Sequence, residues 1–185
     1  DTLLAAVRDV IGARGTVVVP TFTSWNSNTS RTHRTRTSGM TAQQRQAYCD
    51  ELPAFDRDTT PSVECGLFSE AVRTAPGAVR SGHPQTSFAA VGPDAEKLMR
   101  THHLDDHLGE RSPLAELYRL DAQVLLLGVG FDKCTAFHLA EYRYIAEPPR
   151  VTYRCKINSS DGPIWREYLD GVLDDRDFAA CGRAM

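Results

Sequence analysis

The sequence lacks most of the features that would fix its class at once. It has no CxxC pair: Cys49, Cys65, Cys134, Cys155 and Cys181 stand far apart. That excludes a disulfide framework and a cysteine zinc site, and it favours a reducing cytoplasm. It has no run of 18 apolar residues, and its start does not resemble a signal peptide, so no membrane association is expected. Nor is there an excess of positive charge. Its 21 Lys and Arg against 24 Asp and Glu leave a net charge of −3, which gives no reason to expect nucleic acid and slightly favours a cationic ligand. No glycine-rich cradle accompanies Arg31, Arg34 and Arg36, so their phosphate signal is weak. His102, His103 and His107 lie near Asp105 and Asp106, but not at the spacing of a helical metal pair such as HExxH, and no metal is expected there.

What is present suits a single globular domain of 185 residues with a real core, since 41% hydrophobic and 24% charged residues are ordinary values. The chain begins at Asp1 inside a helical pattern and reads as part of a longer protein.

The densest stretch is Val124–Tyr142, VLLLGVGFDKCTAFHLAEY. Val124–Leu127 reads as a buried strand ending in Gly-Val-Gly. A polar turn follows, and a helical pattern starts at Thr135. Phe137, Ala140 and Ile145 are expected to face the core. His138, Glu141 and Tyr142 share another face at spacings of three and four. A strand that ends in glycine and feeds a helix is where α/β proteins build sites. A histidine in the first turn of such a helix can take a proton from an amine, hydroxyl or thiol. It can also be a structural histidine hydrogen-bonded at a helix start. Cys134, at the same helix start, is a rival nucleophile.

Elsewhere, Asp1–Ala13 has helical spacing and Thr16–Pro20 reads as a central parallel strand. Thr21–Ser38, with Trp25, Asn26 and His33, reads as a long surface loop. Thr41 and Gln44 form a capping box, and Val63–Thr74 reads as an amphipathic helix with Leu67, Phe68 and Val72 inward. Arg80–Ala90 contains a pre-proline His83 and a short strand, Ser87–Val91. Helices are expected over Pro93–Met99 and from Ser112-Pro113 to Tyr118. Val151–Ile157 and Ile164–Leu169 read as a hairpin turning at Asp161-Gly162. The expected fold is therefore α/β, a mostly parallel central sheet with flanking helices and an appended antiparallel hairpin.

Four stretches, GTVVVPTFT, RSGHPQTSFAAVG, GERSPLAELYRLDAQVLLLGVG and TAFHLAEYR, occur in an order and spacing that resemble the aminoglycoside 3-N-acetyltransferases. This is the antibiotic acetyltransferase family with its own α/β, non-GNAT acetyltransferase fold, and the resemblance covers Asp1 to about Asp170. It implies transfer of acetyl from acetyl-CoA to the 3-amine of a 2-deoxystreptamine ring. It places the catalytic histidine on His138, with Glu141 to orient it. It implies acceptor contacts at Asp170, with Glu167 as alternate, and at Asn26 and Trp25 in the loop after Pro20. Under the same resemblance His83, Ser87, Phe88 and Ser112 are the candidates for binding coenzyme A, and a second copy of the chain is a candidate partner in a homodimer. The family's strand before the first helix and its C-terminal helices are not matched by the 185 residues. Acyl transfer to another amine metabolite, or a binding fragment without activity, are the competing functions.

Overall fold

The computed structural model describes residues 2–62 and 64–184. In chain order it contains α1 (Thr2–Ile11), β1 (Val17–Pro20), a 3-10 turn (Ser24–Asn26), α2 (Arg31–Arg36), α3 (Ala42–Glu51) and α4 (Gly66–Arg73). Then come β2 (Val79–Arg80), β3 (Phe88–Val91), α5 (Ala95–Met99), α6 (Pro113–Arg119) and two 3-10 turns (Phe131–Lys133, Thr135–Phe137). The chain continues with α7 (His138–Tyr144), β4 (Arg150–Ser159), β5 (Gly162–Gly171) and α8 (Phe178–Ala184).

The first sheet has the order β1-β3-β2, and both pairings to β3 are antiparallel. Successive residues of β3 point to opposite faces, so one strand serves two cores. Phe88 and Ala90 pack with Leu98, Met99, Leu108, Leu114 and Leu139, from α5, α6, α7 and the loop between α5 and α6. Ala89 and Val91 pack with Leu4, Val17, Val19 and Val72, on the side of α1 and α4. Each large apolar side chain so buried contributes roughly 1.5–3 kcal/mol against its exposed state. Helices thus cover both faces, and the fold is mixed α/β.

The parallel core expected from the sequence is corrected by this pairing: among the described strands no parallel ladder forms. Val124–Leu127 is not a strand. Val124 is 59% exposed and Leu125 67%. An apolar run specifies burial, but a buried strand also needs a neighbour at its edge and cover on its faces, and the described residues bring neither to it.

In α7 the inward residues are Leu139 and partly buried Tyr142, whereas Ala140 and Ile145 face out. The seven-residue helix is entered from a 3-10 turn, which shifts its phase against the expected one. In α4, Leu67 is exposed while Phe68 and Val72 pack inward, because the helix starts only at Gly66; Val63 lies outside the described residues.

Residues 21–38 are not a surface loop. Thr21, Thr23, Trp25, Asn26, Ser27, His33 and Thr37 are buried. Arg80 explains part of this, since its guanidinium donates to Thr21 O (2.8 Å), Thr60 O (2.5 Å) and Ser87 Oγ (3.0 Å), clamping three segments. Burial pushes its pKa down to about 10, so it stays charged.

The hairpin forms, with Tyr153 opposite Tyr168 and Val151 opposite Asp170, but it turns one residue earlier than the expected Asp161-Gly162. Ser159 pairs with Gly162, so its two loop residues are Ser160 and Asp161. Tyr153, Cys155 and Tyr168 form a third buried cluster on its inner face.

Candidate active site

Two histidine centres result. The first is at the start of α7. One helical turn brings Glu141 beside His138, and Nδ1 lies 2.5 Å from Glu141 Oε2. The ring also meets the edge of Phe178 at 4.7 Å between centroids, so α8 backs it. Both side chains keep some contact with water, 12% for His138 and 18% for Glu141. The other Glu141 oxygen accepts the backbone N–H of Asp174 at 3.1 Å. With Nδ1–H given to the carboxylate, the lone pair of His138 is on Nε2, for which no partner occurs among the described residues. An imidazole held at one nitrogen and open at the other can accept a proton.

Asp174 lies beside this pair and was not singled out in the sequence. Hydrogen bonds from the Arg176 side chain and backbone hold its carboxyl down at about 2, and His138 adds to the effect. The only sequence signal was the acidic run Asp174-Asp175 after the second hairpin strand.

The second centre is buried. His107 Nδ1 donates to Asp170 Oδ2 at 2.6 Å, and so does the His107 backbone N–H at 2.6 Å. The Tyr142 hydroxyl donates to the same oxygen at 2.9 Å, while Oδ1 accepts Gly171 N–H at 2.6 Å. Burial raises the Asp170 pKa, but the His107 bonds outweigh it and the net shift is downward. His83 lies between His107 and His102 with tilted rings, at 4.6 and 4.7 Å between ring centroids.

Several residues expected in the site lie elsewhere. Asp170 is 2% exposed and its carboxylate is engaged by protein donors. Asn26 and Trp25 are buried as well; Asn26 Nδ2 donates to Lys156 O at 2.9 Å and ties the segment to β4. Glu167 points outward from the hairpin and pairs with Arg154 at 3.7 Å. His83, Ser87, Phe88 and Ser112 are buried too. Ser87 binds Thr21 and Arg80, and Ser112 caps α6 by accepting Leu114 N–H. These four build walls of the core. Cys134 is buried, away from solvent. Among the described residues no cluster of three His, Cys, Asp or Glu could hold a metal ion.

The sequence model of a family described as aminoglycoside 3-N-acetyltransferase matches residues 1–185. Aminoglycoside N(3)-acetyltransferase IX of Micromonospora chalcea is 37% identical over 172 residues, 92% of this chain and 59% of the relative. The chain thus spans under two thirds of the length of such curated relatives. Among solved structures, the YokD protein of Bacillus subtilis superposes with a TM-score of 0.90 at 31% identity, covering 98% of this chain and 71% of the other. AAC-VIa bound to sisomicin gives 0.80 at 29% identity, covering 100% and 71%. AAC-IIIb in a binary complex with CoASH gives 0.76 at 29% identity, covering 97% and 68%.

Proposed function

The chain belongs to the aminoglycoside 3-N-acetyltransferase family, and from that premise we propose that the whole protein transfers acetyl from acetyl-CoA to the 3-amine of a 2-deoxystreptamine aminoglycoside. The observation that carries the reading is the His138–Glu141 pair, bonded through Nδ1 and open at Nε2. Solved relatives bound to CoASH and to sisomicin support the two substrates.

The acceptor ammonium must lose a proton before its nitrogen can attack a thioester. That first proton goes to water, and His138 Nε2 takes the second N–H proton from the attacking amine as the C–N bond forms. The C–S bond then breaks, and the imidazolium returns the proton to the departing coenzyme A sulfur. Glu141 keeps the ring in the useful tautomer and stabilises the imidazolium. Glu141 and Asp174, the latter paired with Arg176, place two carboxylates beside His138 where a polycationic sugar would sit. Such an enzyme confers antibiotic resistance by masking the amine. The reading includes a cytoplasmic location and a homodimer; sedimentation that finds only monomer removes the second.

The test is coenzyme A release and product mass with acetyl-CoA and a panel of amines. One acetyl gained at the 3-position of a gentamicin-type drug is the expected product. Transfer only to unrelated amines, or to none, would overturn the proposal.

A further inference from the structure

α7 has seven residues, well below the length at which a helix holds its own shape, so its orientation depends on tertiary contacts. Leu139 anchors it in the core. Its other deep contact is Tyr142, one turn beyond His138 on the same face. The ring is seated on Gly109: a Cβ added there would fall 2.5 Å from Tyr142 Cδ1 and 2.7 Å from Cγ. The hydroxyl reaches past it to Asp170 at 2.9 Å. Asp170 is itself fixed by both donors of His107, and His107 is fully buried. Four residues after Asp170, the Asp174 N–H holds Glu141 at 3.1 Å. The end of β5 and the residues just after it are thus bonded to α7 twice, through Tyr142 to Asp170 and through Glu141 to Asp174, both one turn beyond His138.

Building on the proposed acetyl transfer, we propose that Tyr142, seated on Gly109 and bonded to Asp170, is a positioning residue that fixes His138 and Glu141 relative to the hairpin. Tyr142 touches no reacting atom. It sets the rotation of α7 about its axis, and with it the direction of Nε2. Misplacing a catalytic group by about 1 Å can cost on the order of a hundredfold in rate.

The experiment uses the whole protein and Tyr142→Phe, which removes one oxygen and keeps the ring. Expected are a kcat lowered about tenfold or more, an acetyl-CoA KM within about twofold, and faster solvent exchange of the Asp174 amide. Gly109→Ala, whose Cβ would press on the ring and also on Asp106 Oδ1, should lower kcat in the same way. Val72→Ala, in the core on the other face of the sheet, supplies a comparison of lowered melting temperature with kcat retained. A merely structural Tyr142 would behave like Val72→Ala. Folded Tyr142→Phe or Gly109→Ala protein with wild-type kcat and unchanged Asp174 exchange overturns the inference. Should the wild-type protein acetylate no aminoglycoside, the functional reading falls. The amide exchange of Asp174 then still decides whether Tyr142 positions the Glu141 contact.

Discussion

Glu141 takes one nitrogen of His138 and leaves the other open to water, and that division of the ring is what makes the residue useful. His138→Ala removes the proton acceptor but little of the core, because Leu139 and Tyr142 carry the packing of α7. We expect kcat to fall by roughly 10²–10⁴, the usual worth of a positioned base, with a melting temperature close to wild type. A stable mutant with undiminished kcat would end the proposed role. Asp174 makes a different prediction. Held ionised by Arg176, it should attract the cationic acceptor and not the thioester. Asp174→Asn should raise the acceptor KM several-fold more than that of acetyl-CoA, and the difference should shrink in high salt because exposed charges are screened. Equal effects on both constants would count against it. His138 and Glu141 were legible in the sequence because a spacing of three on a helix is a local fact. Asp170 was legible only as a carboxylate. Its partners His107 and Tyr142 lie 63 and 28 residues away, and no spacing rule reaches so far.

Elements whose signals are local formed as read. The capping box at Thr41 and Gln44 has both reciprocal bonds, 3.2 Å and 2.8 Å. The helix it starts, α3, buries none of its residues, so the cap is a large share of what holds it. Thr41→Ala should therefore cost about 1 kcal/mol of local helix stability, visible as faster amide exchange over residues 42–51 with kcat unchanged. Loss of activity would show α3 to be tied to the site in a way its exposure does not suggest. The hairpin was legible because alternation fixes both its register and its inner face. The irregular, exposed state of Val124–Leu127 was not, since an apolar run says only that it suits burial, while pairing depends on which edges lie near it. The segment 21–38 failed for the opposite reason. Its hydroxyls look like surface, yet Thr21 accepts from Arg80, and Thr23 and Asn26 both donate to Pro84 O inside the fold.

For the molecule as a whole, the buried histidines make stability depend on pH well above the carboxylate range. Burial lowers the pKa of His83 far below the ordinary value, lowers His102 to about 3, and lowers His33 as well. The hydrogen bonds agree. His83 Nδ1 accepts the N–H groups of Gln85 and Thr86, at 3.2 and 3.0 Å, and Nε2 donates to Leu104 O at 3.2 Å. His102 Nε2 donates to His107 O at 2.7 Å, and Nδ1 accepts from Ser81 Oγ, which itself accepts Phe88 N–H. A second proton on either ring would face donors. The sign follows from proton counts. Above about pH 6.5 these rings are neutral folded or unfolded and contribute no slope. Below it the unfolded chain binds protons that the folded state refuses, so the stability present at neutral pH is lost as pH falls toward about 3. Each histidine adds at most about 1.4 kcal/mol per pH unit to that slope. Asp106, raised by burial, opposes the trend only near the carboxylate range. Urea midpoints measured from pH 7 to about 4.5 should therefore decline steadily before the carboxylates titrate. His102→Gln, which keeps a donor toward His107 O and cannot be protonated, should flatten the decline. A wild-type midpoint constant over that interval would mean that the three rings are not kept neutral by the fold.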